Sequence, residues 1–150
     1  MPELTLDKLL EKARIEDLLN RYATALDARD WAALDEVFAP DATAHFQGVG
    51  ICEDRDAIVD VIRSVLGQCG PTQHLLTNMR IEINGQEAQA KTYLQAIHAG
   101  LGKYTGEKMT VWGEYRDTLK RTPQGWRIVR RELAGIHAEG DIGTAVIRSE

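Results

Sequence analysis

The chain has 150 residues, 43% of them apolar, a formal charge of −5 and a pI near 5.4. That length suffices for one domain with a core. Its acids and bases are interspersed, so it lacks the basic stripe that nucleic-acid phosphates reward. No apolar run approaches the roughly eighteen residues of a membrane span, and the start, Met1-Pro2-Glu3-Leu4-Thr5-Leu6-Asp7, has neither the basic nor the apolar part of a secretory leader. A cytoplasmic protein that meets neither nucleic acid nor membrane is expected.

Leu6, Leu9, Leu10, Ala13, Leu18, Leu19, Tyr22 and Leu26 recur at spacings of three and four, which predicts a long first helix ending near Asp27. Asp30 is a good N-cap for a short second helix closed by Pro40, and Ala42 to Phe46 reads as a brief strand. Gly48 and Gly50 predict a loop. Asp54 or Asp56 then starts a third helix, with Ile58, Val61, Ile62, Val65 and Leu66 on one face up to Gly67.

After Gly70-Pro71 the period changes to two. Leu75, Thr77, Met79, Ile81 and Ile83 alternate with polar neighbours as far as Asn84-Gly85, a type I′ hairpin signal, and Ala88 to Leu101 is the return strand. Met109 to Lys120 is a third strand, and Thr122-Pro123-Gln124-Gly125 turns into a fourth, Trp126 to Ile136. Residues 137–150, with Gly140 and Gly143, read as a loosely packed tail. The order predicts one α+β domain over 1–150, with three N-terminal helices packed on a curved antiparallel sheet.

Such a sheet, only partly covered by helices, leaves a pocket at its open end. Asp27 and His74 could form there a carboxylate-oriented imidazole, a simple proton-abstracting device. Each also has a plain structural reading: Asp27 as an acid set against the helix dipole and needing a partner, His74 as a strand-end ring bonded to backbone. Tyr22 and His98 are further catalytic candidates, and Phe46, Asn78, Tyr93, Trp112, Tyr115 and Arg131 are candidates for the pocket wall; whichever of Arg127, Arg130 and Arg131 faces inward is a candidate for binding an anion or a leaving group. Tyr22 and Asp27, five apart, lie about 140° around the helix, so sharing one opening calls for fraying near Asp27.

A two-residue Asn84-Gly85 turn sets Leu75 opposite Leu94 and Thr77 opposite Thr92, which puts His74 and His98 on opposite faces unless a β-bulge intervenes. Cys52 and Cys69 show no CxxC spacing and are expected as free thiols. No metal-ligand spacing, nucleophile elbow, phosphate loop or dinucleotide fingerprint is present, so no cofactor is expected.

The segments Tyr22-Ala23-Thr24-Ala25-Leu26-Asp27-Ala28-Arg29-Asp30-Trp31, Phe38-Ala39-Pro40-Asp41, Thr72-Gln73-His74 and Gly125-Trp126-Arg127-Ile128 resemble the SnoaL-like branch of the NTF2-like superfamily. That branch includes scytalone dehydratase, bile-acid dehydratase and hexachlorocyclohexane dehydrochlorinase. The resemblance implies a cone of curved sheet around a pocket, an Asp27–His74 dyad with His74 as general base, and a dimer or trimer. It further implies a cofactor-independent β-elimination on an apolar, cyclic small molecule. A double-bond isomerase, a polyketide cyclase and a non-catalytic binding domain share the fold and remain alternatives. Leu26 and Ala96 stand where relatives carry a tyrosine and an acid, and His98 matches a second histidine only approximately, so the resemblance implies a conserved dyad acting on a different substrate.

Overall fold

The computed structural model describes residues 3–144. Helix α1, Leu6–Ala28, starts at Thr5, whose hydroxyl accepts from the Lys8 N–H, and ends at Arg29 in the left-handed conformation (φ 57°). It does not fray at Asp27. The predicted second helix is a 3₁₀ helix, Trp31–Glu36, capped by Asp30. Helix α2, Arg55–Leu66, is capped by Asp54 and buries Ile58, Ile62 and Leu66.

Six strands form one curved sheet in the order β2-β1-β6-β5-β4-β3. They are β1 (Phe38–Phe46), β2 (Gly50–Cys52), β3 (Thr72–Asn84), β4 (Glu87–Ala99), β5 (Lys108–Thr122) and β6 (Gly125–Glu139). The sheet is mixed, not wholly antiparallel as expected, because β1 runs parallel to β6. The first strand begins at Phe38 instead of Ala42. Pro40, which cannot donate to a ladder, falls where the β1–β6 pairing is interrupted between Phe38 and Thr43. The loop expected around Gly50 contains the short strand β2, paired back on β1.

The β3–β4 turn is Gly85-Gln86, with Asn84 opposite Glu87, two registers away from the pairing expected of an Asn84-Gly85 turn. The first residues of the presumed tail extend β6 to Glu139. Beyond them Ile142 and Thr144 are buried, Ile142 in a small cluster with Cys69, Met109 and Val111. Residues 145–150 of that expected tail lie outside the described residues. The main core joins Leu19, Phe38, Ile58, Leu119 and Ile128 between the helices and the concave face of the sheet. Both cysteines are buried free thiols.

Candidate active site

A β-bulge positions the site. From the turn, β3 pairs with β4 regularly as far as Arg80–Lys91; the next pair is Thr77–Tyr93, so Asn78 and Met79 face Thr92 alone. Asn78 takes the left-handed conformation (φ 53°) that such an extra residue needs and that asparagine tolerates better than most side chains. The inward set therefore switches from Ile83, Ile81 and Met79 to Leu76, His74 and Thr72. On β4 the inward residues Leu94, Ala96 and His98 keep their alternation. Both histidines thus face the interior, their ring centroids 5.6 Å apart.

Asp27, at the end of α1, sits behind His74. Its Oδ1 accepts from the His74 ring Nδ1–H at 2.7 Å and from the Thr72 hydroxyl at 2.9 Å, while Oδ2 accepts from the His74 backbone N–H at 3.0 Å. These donors are the partners that an acid at a helix C-terminus needs. Burial pushes the Asp27 carboxyl up, but the hydrogen bonds from the His74 ring and backbone and from Thr72 outweigh it and hold the carboxyl below its usual range. Arg29 completes the frame: its guanidinium donates to the Thr72 hydroxyl (2.8 Å) and to the Leu26 and Gly70 carbonyls (2.8 and 2.7 Å). With Nδ1 committed to the carboxylate, Nε2 is the free ring nitrogen of His74.

His74 stands on the wall of a cavity of about 60 Å³ that opens to solvent. Its other walls are Tyr22, Tyr115, His98, Phe46 and aliphatic side chains of α2, β4, β5 and β6. Tyr22 and Asp27 do not share one opening: Tyr22 lines the cavity and Asp27 backs His74, which is how the helix remains intact. The Tyr22 and Tyr115 hydroxyls are 3.4 Å apart and burial raises both pKa values, Tyr115 well above its ordinary one. His98 donates from Nδ1 to the Met109 carbonyl at 3.3 Å; burial, and secondly the nearby His74, lower its pKa to about 4, so its ring is neutral at neutral pH.

Of the ten residues singled out from the sequence, Tyr22, His74, His98, Phe46 and Tyr115 line the cavity and Asp27 lies directly behind its wall. Four do not line it. Tyr93 is 48% exposed and Trp112 stacks on His137, both on the outer face because inward positions on β4 and β5 are even and odd respectively. Asn78 is the exposed bulge residue. Arg131 does point inward, but it is fully buried in a two-pronged ion pair with Asp117 (2.7 and 2.8 Å) beneath the tyrosines.

Arg29, Thr72 and Asp117 join the site without being marked as candidates by the sequence. The first two lie inside the motifs that carry Asp27 and His74, which was the available signal. Among the described residues no group of three or more His, Cys, Asp or Glu side chains could hold a metal, and no helix is long and apolar enough to cross a membrane.

Helices packed into a curved, six-stranded mixed sheet around a cavity make an NTF2-like fold. The chain belongs to the SnoaL-like domain family, which matches residues 7–132. An uncharacterized protein of Mycobacterium tuberculosis is 31% identical over 134 residues, covering 85% of this chain and 87% of that protein. Among solved structures, a Novosphingobium aromaticivorans protein provisionally named a scytalone dehydratase has a TM-score of 0.82 at 23% identity, covering 95% of this chain and 97% of its own. The type 3 hexachlorocyclohexane dehydrochlorinase of Novosphingobium barchaimii has a TM-score of 0.80 at 17% identity, covering 95% and 98%. At those identities the likeness is one of fold.

Proposed function

We propose that this chain is a cofactor-independent lyase that removes water, or another small leaving group, from an apolar cyclic molecule. The observation that carries the reading is the 2.7 Å contact between His74 Nδ1 and Asp27 Oδ1, with the opposite ring nitrogen free at an apolar cavity. A separation beyond about 4 Å, with other partners for each group, would have favoured a binding domain.

Asp27, ionised, fixes the tautomer of His74 and stabilises the imidazolium that forms when Nε2 takes a proton from the substrate carbon. The electrons of that C–H bond become the new double bond, or first an enolate, and the bond to the leaving oxygen breaks. Tyr22 and Tyr115, both held protonated, are the donors that face the cavity, so the departing hydroxide takes a proton from this pair and leaves as water. The imidazolium returns that proton through solvent. His98 is neutral with its N–H spent on Met109, so it accepts a substrate hydroxyl rather than donating to the leaving group.

The names of the fold relatives supply starting compounds: scytalone and hexachlorocyclohexane, joined by cyclic β-hydroxyketones. Turnover is followed by loss of the leaving group, and exchange of the acidic C–H in deuterium oxide reports proton abstraction by itself. On a compound that is turned over, His74→Ala should lower kcat/KM at least about a hundredfold. Full activity in purified His74→Ala or Asp27→Asn protein would overturn the mechanism. The paired hydroxyls could equally receive an enolate oxygen with no leaving group, which supports double-bond isomerisation as the second reading; a product of unchanged mass identifies it.

A further inference from the structure

We propose that Arg131 is a positioning residue that acts through Tyr22 and Tyr115, making their hydroxyls a binding site for an oxygen that carries or develops negative charge. The proposal rests on the reading of that pair as the donors facing the leaving group or enolate.

Arg131 reaches the interior through a second register shift. Leu119 pairs with Ile128 but Thr118 with Arg130, so Val129 is an extra residue on β6 and Arg131 falls inward, directly opposite Asp117. Neither side chain has any exposure. Nε and one terminal nitrogen are taken by the two Asp117 oxygens, whereas Nη1 has no hydrogen-bond partner among the described residues. The guanidinium carbon lies 3.9 Å from the Tyr115 ring centroid and 4.2 Å from that of Tyr22, and the two rings are nearly perpendicular. One cation therefore lies over the faces of both phenols.

Packing alone does not ask for this arrangement. A fully buried ion pair is commonly no more stable than apolar side chains of the same volume, because both ions lose their hydration. What the cation does here is draw electron density from two aromatic rings whose hydroxyls border the cavity, which makes each O–H a stronger donor. At 3.4 Å the hydroxyls bond each other weakly, and when one donates to the other the second proton stays free for a ligand. Asp117 holds the guanidinium in plane and keeps the charge balanced within the core, so the cavity gains polarised donors with no exposed cation. A carbonyl or hydroxyl oxygen that becomes negative during reaction is stabilised where the charge appears.

The test uses para-nitrophenol, whose neutral and ionised forms absorb at different wavelengths, bound to His74→Ala protein so that the base does not contribute. The lyase reading is judged by turnover and this one by the bound phenolate fraction, so either can fail alone. Expected are saturable binding, a larger bound phenolate fraction than in Tyr22→Phe or Tyr115→Phe versions of the same protein, and loss of that excess in Arg131→Met/Asp117→Leu, which keeps both hydroxyls. The loss should be at least about threefold, the lower range for a cation stacked on aromatic rings. If the double change prevents folding, Arg131→Gln/Asp117→Asn, which keeps a hydrogen-bonding pair but removes both charges, should show the same direction of loss. Absence of saturable binding, a fraction indifferent to both tyrosines, or one indifferent to the Arg131 change in a folded protein overturns the proposal.

Discussion

The His74 and His98 rings meet edge to face at 5.6 Å, and the pair holds a neutral imidazole in a buried site. His98 is lowered from 6.5 to about 4, first by burial and then by His74. Between those values the unfolded chain binds a proton that the folded chain does not, so stability is complete above pH 6.5 and is lost as pH falls toward 4. Over that window His98 should account for roughly 3 kcal/mol of lost stability. Urea unfolding across the window should show a shallower fall for His98→Phe than for the wild type. Parallel curves would remove His98 as the cause.

Asn78 holds the bulge that turns His74 inward, and its φ of 53° is the reason its identity matters. Glycine accepts this conformation freely, whereas a β-branched residue there costs about 1–2 kcal/mol. Asn78→Gly should melt close to the wild type and keep the His74–Asp27 contact. Asn78→Val should lower the melting temperature and, where it removes the bulge, return His74 to the outer face. Equal stability of the two variants would show that the left-handed residue does not control the register.

The bulge also marks where legibility in the sequence ends. Helical spacing locates α1 and α2 because one face of each is buried, and the two-residue period locates β3 to β6 for the same reason. Asp27 and His74 are recognisable from short motifs, each carrying a local frame: Arg29 two residues after the acid, Thr72 two before the histidine. Which way a side chain points depends on extra residues such as Asn78 and Val129, and nothing in strand alternation announces them. A regular ladder separates His74 from His98 and gives no reason to single out Arg131 from its neighbours. Parallel pairing of β1 with β6 is equally silent, since it joins the first strand to the last. Tyr93 and Trp112 face outward, since aromatic character does not specify a face.

The Asp27 carboxyl provides a stability signal of opposite chemistry to that of His98. Burial raises it, yet the hydrogen bonds from His74 and Thr72 lower it further, so the net shift is downward. A depressed acid adds stability that is present above the ordinary carboxylate range and disappears as pH falls through its folded pKa. Asp27→Asn should therefore be less stable than the wild type near neutrality, with a difference that closes in acid. A difference constant across pH would mean that lost packing, not charge, is responsible.

Thr72 separates the frame of the dyad from the dyad itself. Its hydroxyl donates to Asp27 at 2.9 Å and accepts from Arg29 at 2.8 Å, so one side chain links a cation to the carboxylate without touching the cavity. Thr72→Val keeps the shape and removes both bonds. The carboxylate loses a charge-assisted donor, which should cost about 1.5–3 kcal/mol near neutral pH. The Asp27 carboxyl then rises, since one of the contacts lowering it is gone, so the acid loss of stability begins at higher pH. Thr72→Ser restores the hydroxyl and should restore the wild-type onset. A Thr72→Val protein with reduced stability but an unmoved acid onset would limit Thr72 to packing, and an unchanged Thr72→Val protein would remove it from the frame altogether.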